Sequence, residues 1–316
     1  MTDDNLQDFQ TDLGKDFSQI LTNPFLDIAA RFWDKPRYDA FRICYRSMRY
    51  LDDLVDDRKI AGTPITEDEI ALYENQIMYW MTAISERPVR ETSLAELAET
   101  IDRFAIPLWP WERLCKAMIY DLKHEGFRNF RQFLRYTEGA AIAPASVFTH
   151  LCGLQGDDES GFHPPTYDVR KLARPLALFS YLVHIVRDFQ KDQLSGLNYF
   201  AADMLRSRSL TPQDLHRATE SGEIPESLRD LIGAYRHAAD YYRDKARHLL
   251  DALAPSLKPR YRLSLEIIYG LYLLVFERID PVSGDFTEKE LNPTPAEIQS
   301  RLEDIARKFQ SGNTLR

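Results

Sequence analysis

Apolar side chains recur at three- and four-residue steps through most of this chain, a spacing that leaves little room for anything but helices. Between residues 37 and 58, Phe41, Cys44, Tyr45, Met48, Leu51 and Val55 fall on one stripe. Only 13 of the 316 residues are glycine, and alternating segments bounded by turns are scarce, which disfavours a sandwich or barrel. The spacing predicts helices over residues 16–32, 37–58, 66–85, 111–123, 130–151, 169–193, 225–253, 259–280 and 295–310. Thr66-Glu67-Asp68-Glu69 has the composition of a capped start. Pro144 is expected to kink the segment it sits in. Residues 153–167 hold three Gly and two Pro and read as a long surface loop. Composition is similar on both sides of that loop and no repeat is visible, so one all-α domain over residues 1–316 is expected, with tails at 1–15 and 311–316.

A formal charge of −9 leaves no basic footprint for nucleic acid. An acidic chain that binds a polyanion needs local cations or metal ions to reverse the field. Cys44, Cys115 and Cys152 are odd in number and widely spaced, which suits a reducing compartment and gives no zinc pattern. Cys44 and Cys152 sit in apolar surroundings and read as core. His124, His150 and His163 show no ligand spacing. Met1-Thr2-Asp3-Asp4 lacks an apolar signal core. The longest apolar run, residues 267–276, is shorter than the ~20 residues a spanning helix needs. The expectation is a soluble, cytoplasmic protein.

Two segments crowd carboxylates. In Arg49-Tyr50-Leu51-Asp52-Asp53-Leu54-Val55-Asp56-Asp57, Asp52 and Asp56 share one helical face, and Asp53 and Asp57 form a second pair beside it. Like charges at that offset cost a few tenths of a kcal/mol per pair. A hard cation would remove the cost, since Mg2+ takes oxygen ligands from one or two carboxylates, water and phosphate. In His184-Ile185-Val186-Arg187-Asp188-Phe189-Gln190-Lys191-Asp192, Asp188 and Asp192 repeat the spacing beyond a largely apolar stretch, with Arg187 and Lys191 interleaved as phosphate binding favours. Either pair alone fits a solvated helix face. Together they point toward a site, and the residues by themselves leave both readings open.

These motifs resemble the squalene and phytoene synthases over residues 23–279. Tyr45 to Asp57 is similar to the family's Y-x-x-x-R-x-x-D-x-x-x-D, and Ile185 to Asp192 to its I-x-R-D-x-x-x-D. Asp121-Leu122, Tyr136, the small-residue run Ala140-Ala141-Ile142-Ala143, and Gly196, Tyr199 and Asp203 match the intervening and following spacing. The resemblance implies the isoprenoid synthase fold, with helices around a central cavity. It implies Mg2+ on Asp52, Asp56, Asp188 and Asp192, with Asp53, Asp57 and His184 as further candidates. Tyr45, Arg49, Arg187 and Tyr272 would contact a prenyl diphosphate. Tyr136 would serve catalysis by handling a proton or steering a cation, and Asp52 and Asp188 by the metal-assisted departure of diphosphate. Core packing is the competing reading for each of the three tyrosines.

The chain departs from the pattern in places. His184 stands where Asn is usual, Pro144-Ala145 replace Val-Gly, Leu197 replaces Arg, and the family's Ser-Arg-Ser-Phe opening is absent. The implied activity is head-to-head condensation of two prenyl diphosphates, farnesyl diphosphate to presqualene diphosphate and squalene, with NADPH needed only for the reduction. Phytoene or dehydrosqualene formation, a terpene cyclase, and a non-catalytic assembly or lipid-binding relative are the alternatives. A greasy product is compatible with transient docking on a membrane surface, and the sequence leaves the oligomeric state open.

Overall fold

The computed structural model describes residues 24–311. The first expected helix is seen as α1 (Pro24–Ala30); residues 16–23, the tail 1–15, and the tail 311–316 beyond Ser311 lie outside the described residues. Helix α2 (Lys35–Ile60) opens on Asp34, whose side chain accepts the Arg37 N–H at 3.2 Å, with Pro36 in the first turn and Arg58 and Lys59 in the last. Helix α3 (Glu67–Ser85) has the full capping box between Thr66 and Glu69. Helix α4 (Thr92–Arg103) is additional to the expected set. Its buried stripe of Leu97, Ala98 and Ile101 is too short for periodicity alone to mark it. Helix α5 (Trp109–Lys123) follows.

The segment 130–151 is not one kinked helix. It divides into α6 (Phe130–Thr137), a π turn at Glu138–Ile142, and α7 (Ala143–Gly153). Pro144 has no N–H to return to the carbonyl four residues back, and the Ala143 N–H instead reaches Glu138. The expected loop 153–167 carries a short antiparallel hairpin, β1 (Gln155–Asp157) and β2 (Gly161–His163), in the register Gln155 opposite His163. The expected helix 169–193 is interrupted at Asp188, giving α8 (Val169–Arg187) and α9 (Phe189–Leu194). Two short helices, α10 (Ala202–Arg206) and α11 (Pro212–Ser221), were beyond the reach of periodicity. The long α12 (Glu226–Leu253) and α13 (Pro259–Phe276) follow, then α14 (Glu288–Leu291) and α15 (Pro295–Gln310).

Helix α13 is apolar nearly all round and buried from Leu263 to Leu273, as a central helix must be. It packs against α1, α8 and α15, and Ser264 donates to the Ala29 carbonyl at 2.6 Å. Helix α8 lies along α12 and touches α7 and the π turn, while α2 packs on α4, α5 and α7. The result is one mostly helical domain in which α2, α5, α7, α8 and α13 close around an interior space. Among the described residues, no helix is long and apolar enough to cross a membrane.

Candidate active site

The interior space is a cavity of about 520 Å³. Helix α2 presents Tyr45, Met48, Arg49, Asp52 and Asp56 to it, all on one face at three- and four-residue steps. Helix α8 presents Tyr181, His184 and Arg187 to the same cavity, Asp188 follows at the interruption, and α9 presents Lys191 and Asp192. Met48, Leu114, Phe148, Leu176, Leu265 and Ile268 supply apolar wall. Tyr136 and Tyr272 also line it, the latter edge-on to Phe25 at 5.2 Å between ring centres. Asp53 and Asp57 do not reach the lining: Asp53 pairs with Arg49 outside it, and Asp57 is exposed.

The two carboxylate banks have different electrostatics. On α2, Arg49 donates to Asp52 at 2.5 Å and also to Asp53. Burial nonetheless raises the Asp52 carboxyl above its usual range, with Asp53 and Asp121 adding to the effect. Burial, then Asp52 and Asp121, push Asp56 up to about 7. On the opposite bank, burial works against the charge of Asp188, but His184 and the paired Arg187 guanidinium bring it down to about 2. Arg187 reaches Asp188 at 2.6 and 3.1 Å. Among the described residues no cation pairs with Asp192 in this way, and burial with the neighbouring Asp188 charge pushes it up to about 8.

His184 is held by the same network. Arg187 Nη2 lies 2.6 Å from His184 Nδ1; because the guanidinium can only donate, Nδ1 is the acceptor and the ring is the neutral Nε2–H tautomer. Its Nε2 faces Asp188 Oδ2 at 3.3 Å. Burial takes the imidazole down to about 4. As arranged here, His184 orients Arg187 and Asp188.

The donor set suits a hard divalent ion: buried carboxylate oxygens, two of them short of compensating charge. Among the described residues, no three such side chains converge into a cage made by protein alone. Asp52, Asp56, Asp188 and Asp192 would hold Mg2+ together with ligands from outside the protein, since Mg2+ takes one or two carboxylates and completes its shell with water and phosphate.

Behind Tyr136 lies a group that sequence spacing gave no role. The Tyr136 hydroxyl donates to Asp121 at 3.2 Å, and Lys59 donates to the other oxygen of Asp121 at 2.6 Å. Asp121 lies on the buried face of α5 beside Met118 and Leu122, and an acid within such a stripe is the signal that would have marked it. Tyr181 and Tyr199 also line the cavity. Tyr181 was missed in the sequence; it sits three residues before His184 on the cavity face of α8, a helical step that could have marked it. A separate cleft of about 630 Å³ between α12 and α13 includes Arg243 and Arg247. Both are already paired with acids, Arg243 with Asp240 and Asp244, Arg247 with Asp251 and Glu266.

The profile described as Squalene/phytoene synthase matches residues 27–297. The chain belongs to that family. Members of the squalene/phytoene synthase family are prenyltransferases of isoprenoid biosynthesis. Among curated relatives, this family member is 24% identical over 152 residues to phytoene synthase 2, chloroplastic, of Oryza sativa subsp. japonica, covering 48% of this chain and 36% of that protein. It is 23% identical over 152 residues to phytoene synthase 1, chloroplastic, of Arabidopsis thaliana, covering 48% and 34%. The chain thus spans about a third of the length of these relatives. A crystal structure of a dehydrosqualene synthase in complex with ligand superposes with a TM-score of 0.68 at 14% identity, covering 97% of this chain and 99% of that one. A squalene synthase from Alicyclobacillus acidocaldarius gives 0.61 at 15% identity, covering 99% and 96%. At those identities the structural likeness speaks for the fold.

Proposed function

We propose that this family member condenses two molecules of farnesyl diphosphate head to head, giving presqualene diphosphate and, where NADPH is supplied, squalene. The observation that carries the reading is that Asp52 and Asp56, and Asp188 and Asp192, line one cavity with apolar walls. Those four side chains would hold Mg2+, which supplies charge to a departing diphosphate.

The chain's own residues account for the rest. Arg49, Arg187 and Lys191 line the same end groups as the carboxylates and offer N–H donors to diphosphate oxygens. Arg49, which donates to Asp52 in this structure, would turn its N–H donors to the diphosphate. The apolar walls keep water from the allylic cation, and the faces of Tyr45, Tyr136, Tyr181 and Tyr272 suit a cation electrostatically. The double bond of a second prenyl chain attacks that cation, and loss of a proton closes a cyclopropane.

Phytoene or dehydrosqualene formation is the second reading, favoured by phytoene synthases among the relatives. A cyclase would need only one prenyl chain. A purely binding role has no use for carboxyl groups pushed up to about 7 and about 8 by burial and by each other's charge. We also propose transient contact with a membrane surface, since the product leaves water and Ile60 and Leu194 are exposed near the cavity lining.

Incubation with farnesyl or geranylgeranyl diphosphate, with and without Mg2+ and NADPH, separates these readings by product. Presqualene diphosphate from farnesyl diphosphate with Mg2+ is expected. Diphosphate release absent with both substrates would overturn the enzymatic reading.

A further inference from the structure

Lys59 in the last turn of α2, Asp121 on α5 and Tyr136 on α6 form a line of hydrogen bonds that runs from behind the cavity wall into it. Lys59 Nζ is 2.6 Å from Asp121 Oδ1, and the Tyr136 hydroxyl donates to Asp121 Oδ2 at 3.2 Å. Asp121 is 4% exposed and is not part of the cavity lining, whereas Tyr136 is. Tyr136 is thus a lining residue whose hydroxyl is bonded directly to Asp121. Tyr181 also lies on the lining.

We propose that Asp121, fixed by Lys59, is the terminal proton acceptor of the condensation, reached through the hydroxyl of Tyr136. This rests on the head-to-head reading above. When the cyclopropane closes, a C–H bond of the cationic intermediate breaks and its electron pair forms the ring C–C bond. The proton goes to the Tyr136 oxygen while the proton already on that oxygen moves along the existing hydrogen bond to Asp121 Oδ2. The substrate cation loses its charge, Asp121 becomes a neutral acid, and Tyr136 ends as it began. The proton returns to solvent when the product leaves.

A structural reading of the same contacts treats Lys59 and Asp121 as a salt bridge joining α2 to α5. Its placement argues otherwise. Asp121 adds repulsion to Asp52 and Asp56, a bank already crowded, and a bridge meant only to join helices could lie anywhere along the contact. Tyr136 itself is a poor final acceptor, because burial and the Asp121 charge hold its phenol well above the usual range and disfavour a phenolate. A through-going relay needs no phenolate at any stage.

The test compares wild type, Asp121→Asn, Tyr136→Phe, Lys59→Met and the Asp121→Asn/Tyr136→Phe pair. Each is incubated with farnesyl diphosphate and Mg2+, and inorganic diphosphate and the coupled product, presqualene diphosphate, are measured in the same reaction. A structural role moves both together. The relay predicts that Asp121→Asn keeps diphosphate release within a few fold while coupled product per diphosphate falls by about a hundredfold. The missing carbon is then recovered as water-capture products, a hydroxylated thirty-carbon diphosphate from the stalled cation and farnesyl alcohols from its reversal. Tyr136→Phe should do the same, and the pair should be no worse than either change alone. Coupled product and diphosphate falling in step in Asp121→Asn, or neither changing, overturns the proposal. Should Asp121→Asn fail to fold, Lys59→Met decides: a lowered coupling ratio supports the relay and an unchanged one overturns it. Wild-type protein that releases no diphosphate overturns the condensation reading itself, and the relay with it.

Discussion

The carboxylate of Asp56 on α2 acts across the cavity on Asp192 of α9, adding to the burial and the Asp188 charge that push Asp192 up to about 8. Two acids distant in sequence therefore share one electrostatic environment, and among the described residues neither forms an ion pair of the kind Arg187 gives Asp188.

That coupling has a sign in stability. Asp56 and Asp192 titrate near 7 and 8 in the folded protein, against 3.8 for an ordinary aspartate. The folded state binds their protons more tightly than the unfolded state, so metal-free stability is full below about pH 4 for these two groups and is lost as pH rises through 7 to 8. Thermal melts between pH 5 and 9 should show Tm falling with pH. Asp192→Asn should remove much of the slope, and Mg2+ together with inorganic diphosphate should flatten it. A metal-free Tm that rises across this window would contradict the assignment.

Asp52→Asn and Asp188→Asn each remove one carboxylate from a different bank. Either change should lower Mg2+-dependent diphosphate release by about a hundredfold or more, with the far-ultraviolet circular dichroism of wild type. Near-normal turnover in either variant would remove the mechanism.

Gly139 lies in the π turn, where an added Cβ would sit 2.2 Å from the Arg113 carbonyl oxygen and 2.6 Å from the Ala117 Cβ. Both belong to α5, so the turn can only move away from it. Gly139→Ala should cost about 1–3 kcal/mol in urea unfolding. It should also lower turnover, since the displaced turn begins two residues after Tyr136.

Arg37 is a buried arginine that joins parts of the fold remote from the cavity. It is 3% exposed, pairs with Asp34 at 2.9 Å, and donates to the Leu154 and Gly156 carbonyls at 3.1 and 3.2 Å. Phe162 and Tyr261 flank its guanidinium at 4.9 and 4.8 Å. Arg37→Met should destabilise the protein by about 3 kcal/mol while leaving the stabilisation conferred by Mg2+ and diphosphate unchanged.

Long helices were legible because a burial stripe such as Phe41 to Val55 repeats often enough to be seen. Shorter ones were not: α4, α10, α11 and α14 turn too few times for periodicity to outweigh chance, and tertiary contacts decide them. The β1–β2 hairpin escaped because its three-residue strands are too short to alternate visibly. The interruption at Asp188 and the π turn before Pro144 are adjustments of backbone hydrogen bonding that leave little trace in residue pattern. At the site, the Asp spacing placed Asp52 with Asp56, and Asp188 with Asp192, on common faces. It could not separate Asp52 from Asp53, because which of two adjacent stripes faces inward depends on the partner helices. Nor could spacing find the bond from Asp121 to Lys59, which joins residues on different helices.

The most direct test is crystallographic: Mn2+ in place of Mg2+, with an unreactive thio-analogue of farnesyl diphosphate, located by anomalous scattering. The account predicts manganese between Asp52 and Asp56 on one wall and Asp188 and Asp192 on the other, at about 2.0–2.3 Å from carboxylate oxygens, with the diphosphate between the banks. Manganese bound elsewhere, or a prenyl chain lying outside the cavity, would contradict it.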